Sequence, residues 1–136
     1  MRNILIATHS TFASGIQGSL NLLIGERSEI TVIDAYVDDT DYTEKIDDFF
    51  EKYNDQDEYI VFTDLYGGSV NQKMVNYKNK YDFQLITGFN LPILLEIILA
   101  GETLNSSMVE ELVEKCRQEL SLVHIDMTED DEDDFI

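Results

Sequence analysis

Four short apolar runs recur along the chain, each followed by a segment whose apolar residues return every three or four positions. The runs are Ile4-Leu5-Ile6-Ala7, Ile30-Thr31-Val32-Ile33, Tyr59-Ile60-Val61-Phe62 and Phe83-Gln84-Leu85-Ile86. Continuous rather than alternating hydrophobicity marks strands buried on both faces. After the first run, Phe12, Ile16, Leu20, Leu23 and Ile24 predict a helix that Gly25 stops. After the second, Ile46, Phe49, Phe50 and Tyr53 share a helical face, opened by Asp41 and Glu44 in capping-box spacing. A helix over about residues 69–77 follows the third run, and an apolar helix opened near Pro92 and closed by Gly101 follows the fourth. Strand alternating with helix predicts an α/β domain with a mostly parallel sheet and helices on both faces.

A last helix is expected from Ser107, with Glu110 in capping-box spacing, burying Val109, Leu112, Val113 and Cys116. Beyond it, Leu120-Ser121-Leu122-Val123-His124-Ile125 reads as a short fifth strand at a sheet edge or against a partner. One ordered domain over residues 1–125 and an acidic tail over 126–136 are therefore expected, the tail's run of like charge favouring disorder.

Composition narrows the function. Net charge is −19, which argues against a nucleic-acid backbone as partner; an acidic surface can instead steer a basic protein partner, or simply keep the protein soluble. A single cysteine excludes an internal disulfide and a cysteine-based zinc site. The chain opens on strand-like residues with no signal peptide, and its longest apolar stretch, Leu91 to Ala100, is interrupted by Glu96 and too short to span a bilayer. A cytoplasmic protein is expected. No Walker-type phosphate loop is present, which excludes a nucleotide-hydrolysing site of that kind, and no acid pair has the spacing of a glycine-centred calcium loop.

In open α/β sheets, ligands bind beyond the carboxyl ends of the strands, at the point where strand order reverses. Thr8-His9-Ser10 follows the first run, and Thr63-Asp64-Leu65-Tyr66-Gly67-Gly68-Ser69 follows the third. Should the first and third strands be neighbours, His9 and Asp64 would face each other there. A carboxylate holding Nδ1–H fixes the imidazole tautomer and leaves Nε2 as a nucleophile. Gly67 and Gly68 would admit a close backbone approach, and Ser69 could donate hydrogen bonds to a phosphoryl group. Taken singly, each feature has a plainer reading: a loop histidine, a glycine turn, a helix cap at Asn90, a core thiol at Cys116 and a structural or interfacial His124.

Three blocks together carry a family resemblance: Ile4 to Ser10 with Ala13, Ser14 and Gly15; Phe62 to Ser69; and Thr87-Gly88-Phe89-Asn90-Leu91-Pro92-Ile93-Leu94. In order and spacing they resemble the EIIA component of the mannose-family sugar phosphotransferase system, over roughly residues 1–125. The resemblance implies a four-stranded parallel sheet in the order 2-1-3-4, an added antiparallel strand, and a homodimer in which that strand is exchanged or paired. It places the active histidine at His9 and its supporting aspartate at Asp64, with Ser10, Gly67, Gly68 and Ser69 around the phosphate. It implies a phosphoryl group received from HPr and passed to an EIIB domain, serving membrane sugar-permease subunits, with no cofactor. Two positions depart from the family pattern: Ser10 stands where many members have glycine, and Val70 where many have proline. The alternatives are a phosphocarrier serving dihydroxyacetone kinase, which also has His-Ser after its first strand, and a non-catalytic regulatory module on the same fold.

Overall fold

The four apolar runs form four parallel strands in a computed structural model, which describes residues 1–125. They are β1 (Arg2–His9), β2 (Ile30–Ala35), β3 (Glu58–Thr63) and β4 (Gln84–Thr87). Their spatial order is β2-β1-β3-β4, so the chain reverses direction across the sheet between β1 and β3. Residues 2–7 of β1 pair with 58–63 of β3, and His9 lies opposite Ala35 of β2. That register brings the ends of β1, β2 and β3 to one edge.

Among the described residues, five helices cover the sheet: α1 (Phe12–Ile24), α2 (Thr43–Phe49), α3 (Ser69–Tyr77), α4 (Leu91–Leu99) and α5 (Ser106–Arg117). Ile4, Ile6, Ile60, Phe62 and Ile86 face α1, α4 and α5. Leu5, Ala7, Ile33 and Val61 face α2 and α3. Burial of both faces explains why the central strands β1 and β3 carry unbroken apolar runs. Each fully buried Ile or Leu contributes about 1.5–3 kcal/mol. On the second face an aromatic cluster centres on Phe50, which stacks on Tyr81 at 4.3 Å between ring centroids.

Several local expectations are corrected. The proposed capping box at Asp41 and Glu44 is replaced by a shorter turn: Asp41 accepts from the N–H and hydroxyl of Thr43, and Tyr42 is the residue before the helix. That helix ends at Phe49, so Tyr53 packs from the following turn. Gly101 does not close α4; Ala100 does, and the Arg2 guanidinium donates to the carbonyls of Ile97 and Ala100 at 3.0 and 2.7 Å. Asn105, not Ser107, caps α5, accepting from the N–H of Met108. Asn90 caps α4 through Ile93 N–H.

The expected fifth strand does not form among the described residues. After α5, residues 121–125 have no regular structure, and Leu120, Leu122, Val123 and Ile125 are 87, 81, 66 and 62 % exposed. A strand exists only when its backbone groups have a ladder to join, and this segment joins none among the described residues. His124, expected on it, is exposed too. The acidic tail lies outside the described residues.

Candidate functional site

His9 is the last residue of β1 and Asp64 the first after β3, so the pairing of these two strands sets them side by side. Asp64 binds His9 twice. Its carboxylate accepts from the His9 backbone N–H at 2.9 Å, and its oxygens lie 3.1 and 3.2 Å from His9 Nδ1. The Asp64 side chain is 11 % exposed and that of His9 35 %. One ring nitrogen is thus braced from inside while the ring itself reaches solvent. Nε2 lies 3.4 Å from the hydroxyl of Ser69, the first residue of α3.

The loop from Asp64 to Ser69 holds itself in shape. Gly67 takes φ +73, a left-handed backbone that glycine adopts without steric penalty. Its N–H donates to Asn71 Oδ1, and the Gly68 N–H donates to the Leu65 carbonyl. Both glycine amides are therefore engaged within the loop. The need for glycine at 68 is spatial: a Cβ there would stand 3.1 Å from Leu65 Cβ, 3.2 Å from the Leu65 carbonyl oxygen and 3.5 Å from His9 Cε1. Asn71, buried on α3, also donates to Thr63 Oγ1, which bonds to Thr87 on the next strand.

The two helices that start at this edge differ. At α1, the N–H groups of Ala13 and Ser14 are taken by Thr8 Oγ1 and Asp34 Oδ1, at 2.7 and 3.0 Å. At α3 the capping position is Gly68, which has no side chain to offer. The open helix terminus beside His9 is that of α3, where partial positive charge collects.

Ser10 sits at φ +56, in the left-handed region, and its N–H is taken by the Ala35 carbonyl at 2.7 Å. This backbone conformation accounts for glycine being favoured there. Val70, in the first turn of α3, is fully buried against the second core. In the third sequence block, Asn90 caps α4 and donates to the Cys116 carbonyl, while Phe89 stacks on Phe12. Cys116 is buried, and burial pushes its thiol pKa up.

Tyr36, just beyond β2, belongs to the site although sequence reasoning did not select it. Its φ is +68, its ring lies 5.6 Å from the imidazole, and its hydroxyl is 2.8 Å from Ser69 Oγ. Its hydroxyl also meets that of Tyr42 at 3.4 Å. Burial, then the hydrogen bond with Tyr36, pushes the Tyr42 hydroxyl up. Among the described residues no group of three or more His, Cys, Asp or Glu side chains is arranged to hold a metal ion.

Fold and site define a doubly wound α/β protein that presents one carboxylate-braced histidine at its switch point. Residues 3–117 match the family model EIIA-man, described as the PTS system fructose IIA component. A Klebsiella pneumoniae protein, described as a phosphoenolpyruvate-dependent sugar phosphotransferase system permease, is 30 % identical, with 89 % of this chain and 90 % of that one covered and a TM-score of 0.79. The PTS IIA protein associated with the fucose utilization operon of Streptococcus pneumoniae is 29 % identical, covering 89 % and 92 %, with a TM-score of 0.74. The mannose/sorbose-specific IIA subunit of Enterococcus faecalis shares the fold at 15 % identity, covering 93 % and 98 %, with a TM-score of 0.78. The chain belongs to the EIIA-man family of sugar phosphotransferase components.

Proposed function

We propose that His9 receives a phosphoryl group on Nε2 from phosphorylated HPr and passes it to an EIIB domain in the cytoplasm. The observation that carries this reading is the Asp64 brace on Nδ1, which leaves Nε2 directed at Ser69 and the open end of α3. The Nε2 lone pair attacks phosphorus as the bond from phosphorus to the donor nitrogen breaks, its electron pair returning to the donor. No proton has to leave: the proton stays on Nδ1, donated to the Asp64 carboxylate, which offsets the positive charge the ring gains. Transfer to EIIB is the same step reversed.

Such transfers demand positioning and charge stabilisation more than covalent chemistry. The Ser69 hydroxyl and the first-turn N–H groups of α3 are the donors available to the phosphoryl oxygens. The helix terminus contributes about 0.3–1 kcal/mol when exposed and up to about 2 when partly buried. Against it stands a net charge of −19, most of it screened at distances beyond about 8 Å. Local geometry wins. Leu65, Tyr66 and Tyr36 are exposed around the histidine and offer an apolar collar for an incoming protein.

Incubation with enzyme I, HPr and phosphoenolpyruvate, without ATP, should add one acid-labile phosphoryl group, detected by mass spectrometry. His9→Ala should add none. Absence of the group in the wild type, or its persistence in His9→Ala, would overturn the assignment, and comparing EIIB with dihydroxyacetone kinase as acceptor identifies the recipient. The family resemblance also implies a homodimer. The exposed apolar residues of 120–125, on both faces of what would be a strand, support pairing with a second copy at the sheet edge beside β4.

A further inference from the structure

We propose that Tyr36 is a positioning residue for phosphoryl transfer at His9, acting through Ser69; this rests on the reading of His9 as phosphoryl acceptor. Three hydroxyls form a row that ends on the imidazole: Tyr42 to Tyr36 at 3.4 Å, Tyr36 to Ser69 at 2.8 Å, and Ser69 to His9 Nε2 at 3.4 Å. Each hydroxyl owns one proton, so one commitment fixes the rest. With Nδ1–H donated to Asp64, the neutral ring presents a lone pair at Nε2, and Ser69 donates its proton there. Ser69 then has only acceptor capacity left for Tyr36, so Tyr36 donates to Ser69. Tyr42, whose ring is buried, donates in turn to Tyr36.

The outcome is a hydroxyl proton aimed at the point where phosphorus arrives. Without Tyr36, Ser69 Oγ would be free to rotate, its side chain being exposed at the start of α3. Once Nε2 carries the phosphoryl group, the same proton meets a phosphoryl oxygen, and the row needs no rearrangement. The backbone is built for this placement. Tyr36 stands in the left-handed region, an unfavourable conformation for a large side chain, and the Ser10 N–H to Ala35 carbonyl bond at 2.7 Å ties its loop to the residue after His9. Its ring meets Tyr42 edge-on, 5.4 Å between centroids at 79°, and Lys73 lies 4.4 Å over the Tyr42 ring. Lys73 follows Ser69 by one helical turn on α3, so one helix face holds both ends of the row.

Tyr36→Phe removes the hydroxyl and keeps the ring. In transfer from phospho-HPr its kcat should fall about five- to tenfold, the worth of one hydrogen bond, with KM for phospho-HPr changed by less than about twofold. Ser69→Ala should lose about as much, and the double variant should be no slower than Ser69→Ala alone, because Tyr36 works only through that hydroxyl. Wild-type kcat in Tyr36→Phe, losses that multiply in the double variant, or a loss matched by a fallen melting temperature would each overturn the proposal. A wild-type chain that gains no phosphoryl group would instead remove the reading of His9 and this proposal with it; phosphorylation at equal rates in wild type and Tyr36→Phe removes this proposal alone.

Discussion

The carboxyl edge of β1 and β3 and the segment after α5 are both at the surface, yet they are finished to different degrees. Around His9, the polar groups of three loops find partners within the one chain: Asp64 on the imidazole, Asn71 on Gly67, Ala35 on Ser10. After α5, the side chains of Leu120, Leu122, Val123 and Ile125 lie open to water among the described residues. An edge complete in a single chain can hold reacting groups in place before any partner arrives. A segment whose apolar residues are left over has a role only when something covers it. Changes at the first should therefore alter rates, and changes at the second should alter assembly.

The largest effect expected after loss of His9 itself is at its brace. Asp64→Ala removes a charge-assisted bond worth about 1.5–3 kcal/mol, so the transfer rate should drop roughly 10- to 100-fold, with cooperative unfolding retained. Rapid-quench measurement of transfer from phospho-HPr reads this directly, and an unchanged rate would take Asp64 out of the chemistry. Leu122→Asp should leave transfer at His9 intact and weaken self-association by about 10- to 100-fold, the range for one buried leucine. Sedimentation equilibrium checks it; equal association in both chains would mean that the segment is not the contact. Smallest is Gly68→Ala, whose added methyl presses on Leu65 and nears the His9 ring. A reduction in transfer of about two- to fivefold is expected, from less than about 1 kcal/mol of displacement at the imidazole. Transfer as fast as wild type would show that the loop yields without moving His9.

Much of this architecture could be read from residue order. The β1 and β3 runs are apolar at every position because both faces are covered, and this pattern is local enough to show in the sequence. The start and end of α3 at Ser69 and Tyr77 were legible for the same reason. Capping was less so: Asn105 and Arg2 act at the ends of α5 and α4 in ways that spacing alone misassigned, since a cap depends on which nearby group reaches the helix end first. The fifth strand is missing among the described residues for a reason of another kind. Strand-forming composition is necessary for a strand, but the ladder comes from a neighbour, and the described residues of a single chain supply none to residues 121–125.

By itself the sequence determined the layers of the fold and the candidacy of His9 and Asp64, because burial on both faces and the ends of apolar runs are written in consecutive residues. Only the tertiary structure decided which hydroxyls meet at Nε2, that α3 and not α1 keeps an open N-terminus there, and that Tyr36 belongs to the group. Those outcomes depend on the ends of β1, β2 and β3 converging from distant parts of the chain. A distance of 2.8 Å between Tyr36 and Ser69, 33 residues apart, has no trace in local periodicity.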